Sequence, residues 1–479
     1  MKAEWSKDTP YSLPDSWDEE IDVVIVGSGF SGLSAAIEVA SSGLKTIIFE
    51  KMPYVGGNSS LAGGGVCSWD SKLKMREKLG LGDDSWQQHF ADTMKGGDYY
   101  NDPALVEVMV KSAPETIDWL VDIGVEFADM LPILGGHSAH RGYRETSSSG
   151  RKMVEAIKTR ALAENVDIRY NSEVCGIWRE NAKAPVSGIS VTNKAGIFNI
   201  KANKGVILTA GGFGRDREMI KESQPAISDE LGCNNHKGAS GEVIRYAKAI
   251  GADTINMQFI QCYPCGNPNT GGMDRFAFCS YSGAGYGLIY VNKEGNRFVN
   301  ELAGRDEVSN AQLRFQEKPT WGILNAKLFE FLGTSEQDLD RAVESGRIVK
   351  ADGIRKLAES IGFSAETLSA TVDNHNGYIE AGKDPDFEKV IFDQLIPLEE
   401  GPFYAIPQWP TIHYCMGGLK INTDTEVCDI WGVIIPGLYA AGEVTGGVHG
   451  SNRLAGNAIT DCLVFGRRAG KKVAGLLSL

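Results

Sequence analysis

The residues best spaced for chemistry are Gly27-Ser28-Gly29-Phe30-Ser31-Gly32 and Glu50, which stands 18 residues beyond Gly32. The G-x-G-x-x-G spacing follows an apolar run at 21–26 and opens a stretch of helical periodicity. Each position has a physical task. Gly27 permits a tight turn, Gly29 lets the backbone approach a pyrophosphate, and Gly32 allows close helix–strand packing. Free amides and the macrodipole at a helix N-terminus favour an anion, and Glu50 can accept ribose hydroxyls. The pattern predicts dinucleotide binding.

A second glycine-rich stretch follows Lys51-Met52-Pro53-Tyr54-Val55: Gly56-Gly57-Asn58-Ser59-Ser60, then Gly63-Gly64-Gly65. It suits a cofactor longer than NAD, whose ring system extends past the pyrophosphate. Gly437-Leu438-Tyr439-Ala440-Ala441-Gly442 can close on the same molecule. Two other constellations are weaker. Cys262-Tyr263-Pro264-Cys265 has metal or redox spacing, but no second C-x-x-C pairs with it, and Gly266 excludes a haem-attachment motif. His137 and His140 lie in the loop 135–141 with no carboxylate spaced to complete a metal site, so they read as solvated or structural and no metal is predicted.

These groups need elements to position them. Ile21-Asp22-Val23-Val24-Ile25-Val26 is too apolar for a half-exposed strand and reads as central in a parallel sheet. A helix is predicted over 31–41, ended by Gly43, and a strand over 45–50, which completes a β-α-β unit. Helical patterns follow at 103–122 and 152–164, a short strand at 167–171, a strand at 205–210 running into Gly211-Gly212, and a helix at 240–251. From 262 to 410 the composition changes, with charged helical stretches at 305–317, 336–345 and 364–381. A last helix is predicted over 455–477, with Arg453 at its opening. The pattern is α/β with an insertion: a dinucleotide-binding domain at 1–261 (1–19 an N-terminal arm), an inserted substrate domain at 262–410, and the rest of the first domain at 411–479.

Composition excludes several classes. The chain has 479 residues, 42% hydrophobic and 23% charged, as soluble globular proteins do. Its net charge of −14 repels phosphate backbones, so nucleic acid is not an expected partner. No apolar run approaches the ~20 residues of a membrane span. The N-terminal stretch lacks a basic region followed by an apolar one, and nine cysteines form no dense framework. A cytoplasmic location is expected, with a mature periplasmic form as the alternative.

With these residues in view, the chain resembles the FAD-dependent family of fumarate reductase and succinate dehydrogenase flavoproteins, soluble fumarate reductases, urocanate reductases and 3-ketosteroid dehydrogenases. The likeness runs over about 20–475. It implies an α/β, Rossmann-like FAD-binding domain with an inserted α+β capping (clamp) domain. It implies FAD, contacted by Gly27, Ser28, Gly29, Ser31, Gly32, Glu50, Lys51, Gly57, Asn58, Ser59, Gly64, Gly65, Val174, Ala210, Gly211, Gly212, Gly442, Glu443, Arg453, Ala458 and Ile459. No residue resembles the histidine that tethers flavin in the membrane-bound complexes, so non-covalent FAD is expected.

Three stretches are similar to the soluble fumarate reductase branch: Arg297-Phe298-Val299-Asn300-Glu301 with Arg305-Asp306, Ile412-His413-Tyr414-Cys415-Met416-Gly417-Gly418, and Glu443 through Arg453. By that resemblance Arg305 protonates the substrate's α-carbon, while His413 and Arg453 hold a carboxylate. Hydride addition to the β-carbon of an unsaturated acid moves charge toward that carboxylate, which Arg453 can clamp bidentately. The chain also departs from the branch. Tyr263 replaces the histidine for a far carboxylate, as in urocanate reductases, and Ser280, Tyr281 and Ala284 replace a Thr-Glu pair and an arginine. Phe276, Phe278, Tyr281 and Tyr286 surround this segment, either as an apolar tail site or as domain core. The expected activity is FAD-dependent reduction of an aryl- or apolar-substituted acrylate, with Tyr263, Ser280 and Tyr281 binding its far end. The electron donor is external: a cytochrome, a flavin reductase or NADH. A 3-ketosteroid-type dehydrogenase, a fumarate reductase proper and an electron-transfer subunit are the alternatives.

Overall fold

Ile21, Val23, Val24 and Ile25 are at most 1% exposed in the strand Glu19–Val26. A run apolar on both faces belongs inside a parallel sheet. It pairs in parallel with Thr46–Phe49 on one side and with Gly196–Leu208 on the other. The computed structural model describes residues 11–315 and 317–477; residues 1–10 of the expected arm lie outside them. The described part of that arm is pinned, with Asp18 and Asn199 exchanging hydrogen bonds of 2.8 and 2.9 Å.

The described chain divides into two units. The first comprises residues up to Ile227, Asn235–Ile260 and those from Tyr414 on; the second comprises Ser228–Asn234 and Gln261–His413. Ser228–Asn234, Gln261 and residues 411–413 thus lie with the inserted stretch rather than in the flanking parts expected for them. Strand pairing is the reason: Gly232 and Cys233 pair in parallel with Thr411 and Ile412.

The first unit is built on an eight-stranded sheet in the order Glu426–Cys428, Ile434–Ala440, Gly196–Leu208, Glu19–Val26, Thr46–Phe49, Asp167–Arg169. Val186–Asn193 pairs antiparallel with both Glu173–Arg179 and Gly196–Leu208, a meander whose first two strands have no counterpart among the predicted elements. The first helix, Phe30–Ala40, makes the parallel crossover. The closing helix, Asn457–Val473, packs against it, since a β-carbon added at Gly466 would stand 2.4 Å from Ser34 Oγ. This helix begins later than predicted. Gly456 holds φ +86, a backbone state outside the helix, so Arg453 precedes the helix by a full turn.

In the second unit the strands Ile260–Gly266, Phe403–Cys415, Thr320–Asn325 and Ile289–Val291 are neighbours in that order. Helices Arg275–Gly283, Arg305–Leu313 and Glu336–Glu344 flank a core that includes Tyr263, Cys265, Leu288, Leu328 and Phe329. Among the described residues no helix is long and apolar enough to cross a membrane.

Candidate active site

The first unit forms a backbone cradle where strand Glu19–Val26 meets helix Phe30–Ala40. Gly27 holds φ +96, and a β-carbon there would stand 2.6 Å from the Thr209 carbonyl oxygen. One on Gly32 would stand 2.0 Å from the Gly27 carbonyl oxygen. Thr209 Oγ1 donates to Val26 O (2.8 Å) and Gly27 O (3.0 Å), fixing the turn from the next strand. Ser59 Oγ accepts from Phe30 N–H at 3.0 Å, so Ser59 caps the helix start. Glu50 is buried and accepts from Ser28 N–H (3.1 Å), Ser28 Oγ (2.5 Å) and Met52 N–H (2.8 Å). These bonds place an acid at the end of the second strand, beside the glycine turn. Ser172 N–H donates to Glu50 O at 3.0 Å, which brings the strand bearing buried Val174 alongside.

A second cluster joins more distant segments of the same unit. Asn58 Nδ2 donates to Glu443 Oε2 (3.1 Å) and to Asn235 Oδ1 (2.7 Å), while Asn58 Oδ1 accepts from His236 N–H (2.6 Å). Glu443 Oε1 accepts from Cys415 N–H at 3.1 Å, and burial raises its carboxyl above the usual value. Gly212 packs on this carboxylate: a β-carbon there would be 2.8 Å from Oε1. Gly442 adjoins Ser31 in the same way, at 2.3 Å from its Oγ. Ala210 and Gly211 follow the strand Gly196–Leu208, Gly57 opens the short helix Gly57–Leu61, Gly64 packs on Ser149, and Gly65 begins the strand Gly65–Cys67. Ala458 and Ile459 occupy the first turn of the closing helix. Lys51 is committed elsewhere, paired with Glu242 and Ser240.

Arg453 is buried, with its guanidinium carbon 4.6 Å from the centre of the Tyr414 ring and Nη1 donating to Leu454 O at 3.0 Å. Tyr414 meets His449 edge-on at 5.5 Å, and His449 Nε2 lies 3.3 Å from Asp461 Oδ2. Burial holds the Tyr414 phenol well above its usual value.

The second unit gathers Arg305, Tyr263, Tyr281 and His413. Arg305 is the first residue of the helix Arg305–Leu313. Its guanidinium carbon lies 5.5 Å from the Tyr263 ring centre and 5.1 Å from that of Tyr281. Arg305 Nε donates to Tyr281 Oη (3.3 Å) and Nη1 to Gln261 Oε1 (3.2 Å). The Tyr263 ring is 5.5 Å from His413, whose Nδ1 is 3.1 Å from Asn234 Oδ1. Tyr263 is 1% exposed and its hydroxyl donates to Ala277 O at 3.2 Å, so it offers a ring face rather than a hydroxyl. The motif before Arg305 is scaffold. Buried Glu301 accepts from Arg297 (2.8 and 2.9 Å) and lies 3.1 Å from Lys389 Nζ, anchoring the segment that leads to the helix.

Other expected groups lie apart from this set. Ser280 is fully buried and donates to Gln408 in the core. Phe276 packs edge-on against Phe329, Tyr286 packs against Phe331, and Phe278 is exposed. Of the four surrounding aromatics, only Tyr281 meets Arg305. Cys262 and Cys265 lie three apart on one strand, hence on opposite faces, and burial pushes both thiols up to about 12. His137 is buried between Arg141 Nη1 (3.3 Å) and Ala455 O (2.8 Å). His140 Nδ1 lies 2.8 Å from Leu131 O. Gln261, Asn234, Thr209 and Tyr414 were not among the expected site residues. Gln261 was legible, because residues two apart on a strand share a face and Tyr263 faces Arg305.

The first unit's residues fit FAD: bare glycine backbone where a pyrophosphate must approach, a helix N-terminus for its charge, and a buried acid at the end of the second strand. Comparison with known proteins agrees. A family model described as FAD binding domain matches residues 22–459. The chain is 37% identical over 467 residues to a fumarate reductase (cytochrome) of Shewanella frigidimarina, covering 97% of this chain and 78% of that one. It is 34% identical over 483 residues to a urocanate reductase of Eggerthella lenta, covering 99% and 78%. The open conformation of a flavocytochrome c3 fumarate reductase superposes with a TM-score of 0.80 at 33% identity, covering 96% and 79%. The expected α/β fold with a Rossmann-like FAD-binding domain holds, and FAD is the cofactor. The chain belongs to the FAD-binding-domain family of flavin-dependent oxidoreductases.

Proposed function

We propose that this protein reduces the C=C bond of an α,β-unsaturated carboxylic acid and prefers an aryl- or apolar-substituted acrylate to fumarate. Its similarity to fumarate and urocanate reductases supports the reaction class. The observation that carries the finer reading is the neutral, aromatic setting of Arg305, bonded to Tyr281 and Gln261 and lying over two tyrosine rings.

When bound, FAD supplies a hydride for the substrate's β-carbon. Arg453 clamps the carboxylate through two parallel N–H donors and stabilises the charge that accumulates there. His413, whose Nδ1 lies 3.1 Å from Asn234 Oδ1, hydrogen-bonds the substrate's carboxylate. Arg305 gives a proton to the α-carbon. A guanidinium is a weak acid in water, so it serves only beside a developing carbanion. Tyr263 and Tyr281 set the far end of the substrate, and the second unit acts as the capping domain. Electrons arrive from an external donor: a cytochrome, a flavin reductase or NADH.

A second carboxylate set against Tyr263 and Tyr281 has Arg305 as its nearest cation, and the Nε and Nη1 of that arginine are already held by Tyr281 and Gln261. Burying it there costs several kcal/mol, enough to lower kcat/KM by about a thousandfold. Comparing kcat/KM for fumarate, urocanate and cinnamate-type acids with an artificial electron donor tests the reading. Cinnamate-type acids are expected to lead; fumarate as the best of the three overturns the assignment of the far end. Oxidation of the reduced enzyme by steroid enones and by no acid overturns the reaction class.

A further inference from the structure

We propose that Tyr281 returns the proton that Arg305 gives up, so that solvent protons reach the product through this phenol. The inference rests on the reduction proposed above. An arginine that has protonated a carbon is left as a neutral guanidine and must be recharged before the next turnover. The hydrogen bonds of Arg305 go to two side chains, Tyr281 at 3.3 Å from Nε and Gln261 at 3.2 Å from Nη1. The amide of Gln261 does not ionise. A phenol is a stronger acid than a guanidinium, so a phenol O–H can return a proton to a neutral guanidine. Tyr263 also faces the guanidinium, but it is fully buried and its hydroxyl is held by Ala277 O. Tyr281 is only half-buried, where Tyr263 is fully enclosed.

The steps balance without a further reactant. An Arg305 N–H bond breaks as the α-carbon C–H bond forms, and the electron pair stays on the guanidine. The Tyr281 O–H bond then breaks as an N–H bond forms. The phenolate takes a proton from water, which completes the uptake of one solvent proton per turnover.

A burst experiment separates this role from a structural one. FAD-loaded enzyme is reduced, mixed with a cinnamate-type acid, and followed through the first and later turnovers with saturating artificial donor. Arg305 is charged at the start, so whatever Tyr281→Phe costs in substrate binding falls on the first turnover and the later ones alike, and the relay is read from the further loss in the later ones. Later turnovers should slow about a hundredfold, the usual scale of a lost proton-transfer group. 3-Fluorotyrosine at position 281 keeps the hydroxyl and should restore the later turnovers that Tyr281→Phe loses. Equal loss in both phases, or no loss in either, overturns the relay. Asp306 and Glu307 are the carboxylates of the same helical turn. If Asp306→Asn or Glu307→Gln slows only the later turnovers and Tyr281→Phe does not, a carboxylate recharges Arg305 and the proposal fails. If the wild type shows no first turnover with any acid, the underlying reduction fails as well, and that is seen without any variant.

Discussion

The guanidinium carbon of Arg453 lies 4.6 Å from the centre of the Tyr414 ring, and both side chains are buried. A desolvated cation over an aromatic face gains about 2 kcal/mol. Tyr414 is itself braced edge-on by His449, which faces Asp461. The arginine is thus held on a fixed platform rather than on a flexible stem.

Arg453→Lys should lower kcat/KM by about 2–4 kcal/mol, because a point charge cannot reproduce a bidentate fork. Tyr414→Phe keeps the ring and should be near wild type, whereas Tyr414→Leu should raise KM about tenfold, the equivalent of ~1.4 kcal/mol. Steady-state kinetics on the three variants measure this. Equal effects of Phe and Leu at 414 would show that the ring face is not what positions Arg453.

Gly32→Ala should abolish FAD binding, because the new methyl would fall 2.0 Å from the Gly27 carbonyl oxygen and spread the turn. The purified variant is expected to be colourless. Wild-type protein should be yellow and should release its flavin into the supernatant on acid precipitation. Colour that stays in the pellet would contradict non-covalent attachment.

Glu301→Gln should destabilise the second unit by about 3–5 kcal/mol, because it strips a buried carboxylate from Arg297 and Lys389. Replacing Lys389 by Met in the same protein should recover part of the loss, since the uncompensated cation goes with it. Denaturant unfolding of the two variants tests both statements.

His375 governs part of the acid sensitivity. Burial, reinforced by Lys389, pushes it down to about 4, although Glu301 opposes the shift. The unfolded chain takes up its proton near 6.5 and the folded one does not until about 4. This contribution to stability is therefore complete above about 6.5 and is lost as pH falls toward 4, by about 3 kcal/mol. Melting curves over that range should fall less steeply for His375→Gln than for wild type. Identical slopes would exclude the assignment.

The cradle was legible because its constraints act on the backbone, and only glycine meets them at Gly27 and Gly32. The central strand was legible because burial on both faces leaves an unbroken apolar run. Partners supplied by irregular or very short elements were not. Asn234 reaches His413 beside a parallel strand only two residues long, Gly232–Cys233, too short to leave a periodic signal. Arg453 was read as opening the closing helix because a turn rich in glycine hides the positive φ of Gly456. Ser280 was drawn toward a ligand by its place in sequence and Phe276 was left open between ligand and core, whereas the helix Arg275–Gly283 buries both. Sequence spacing alone does not say which face of a nine-residue helix looks inward.

The packing of the closing helix on the first one has a consequence for synthesis. Arg467 Nε donates to Glu38 Oε1 at 2.6 Å across 429 residues of chain. At ~5–20 residues per second, a ribosome needs about 20–90 s to make the second partner after the first. Throughout that interval the apolar face of Phe30–Ala40 that awaits the closing helix is exposed. Such non-local closure is slow and prone to aggregation, so the nascent chain needs shielding until Asn457–Val473 emerges. The cofactor cradle is finished only then, after the whole inserted unit has been translated.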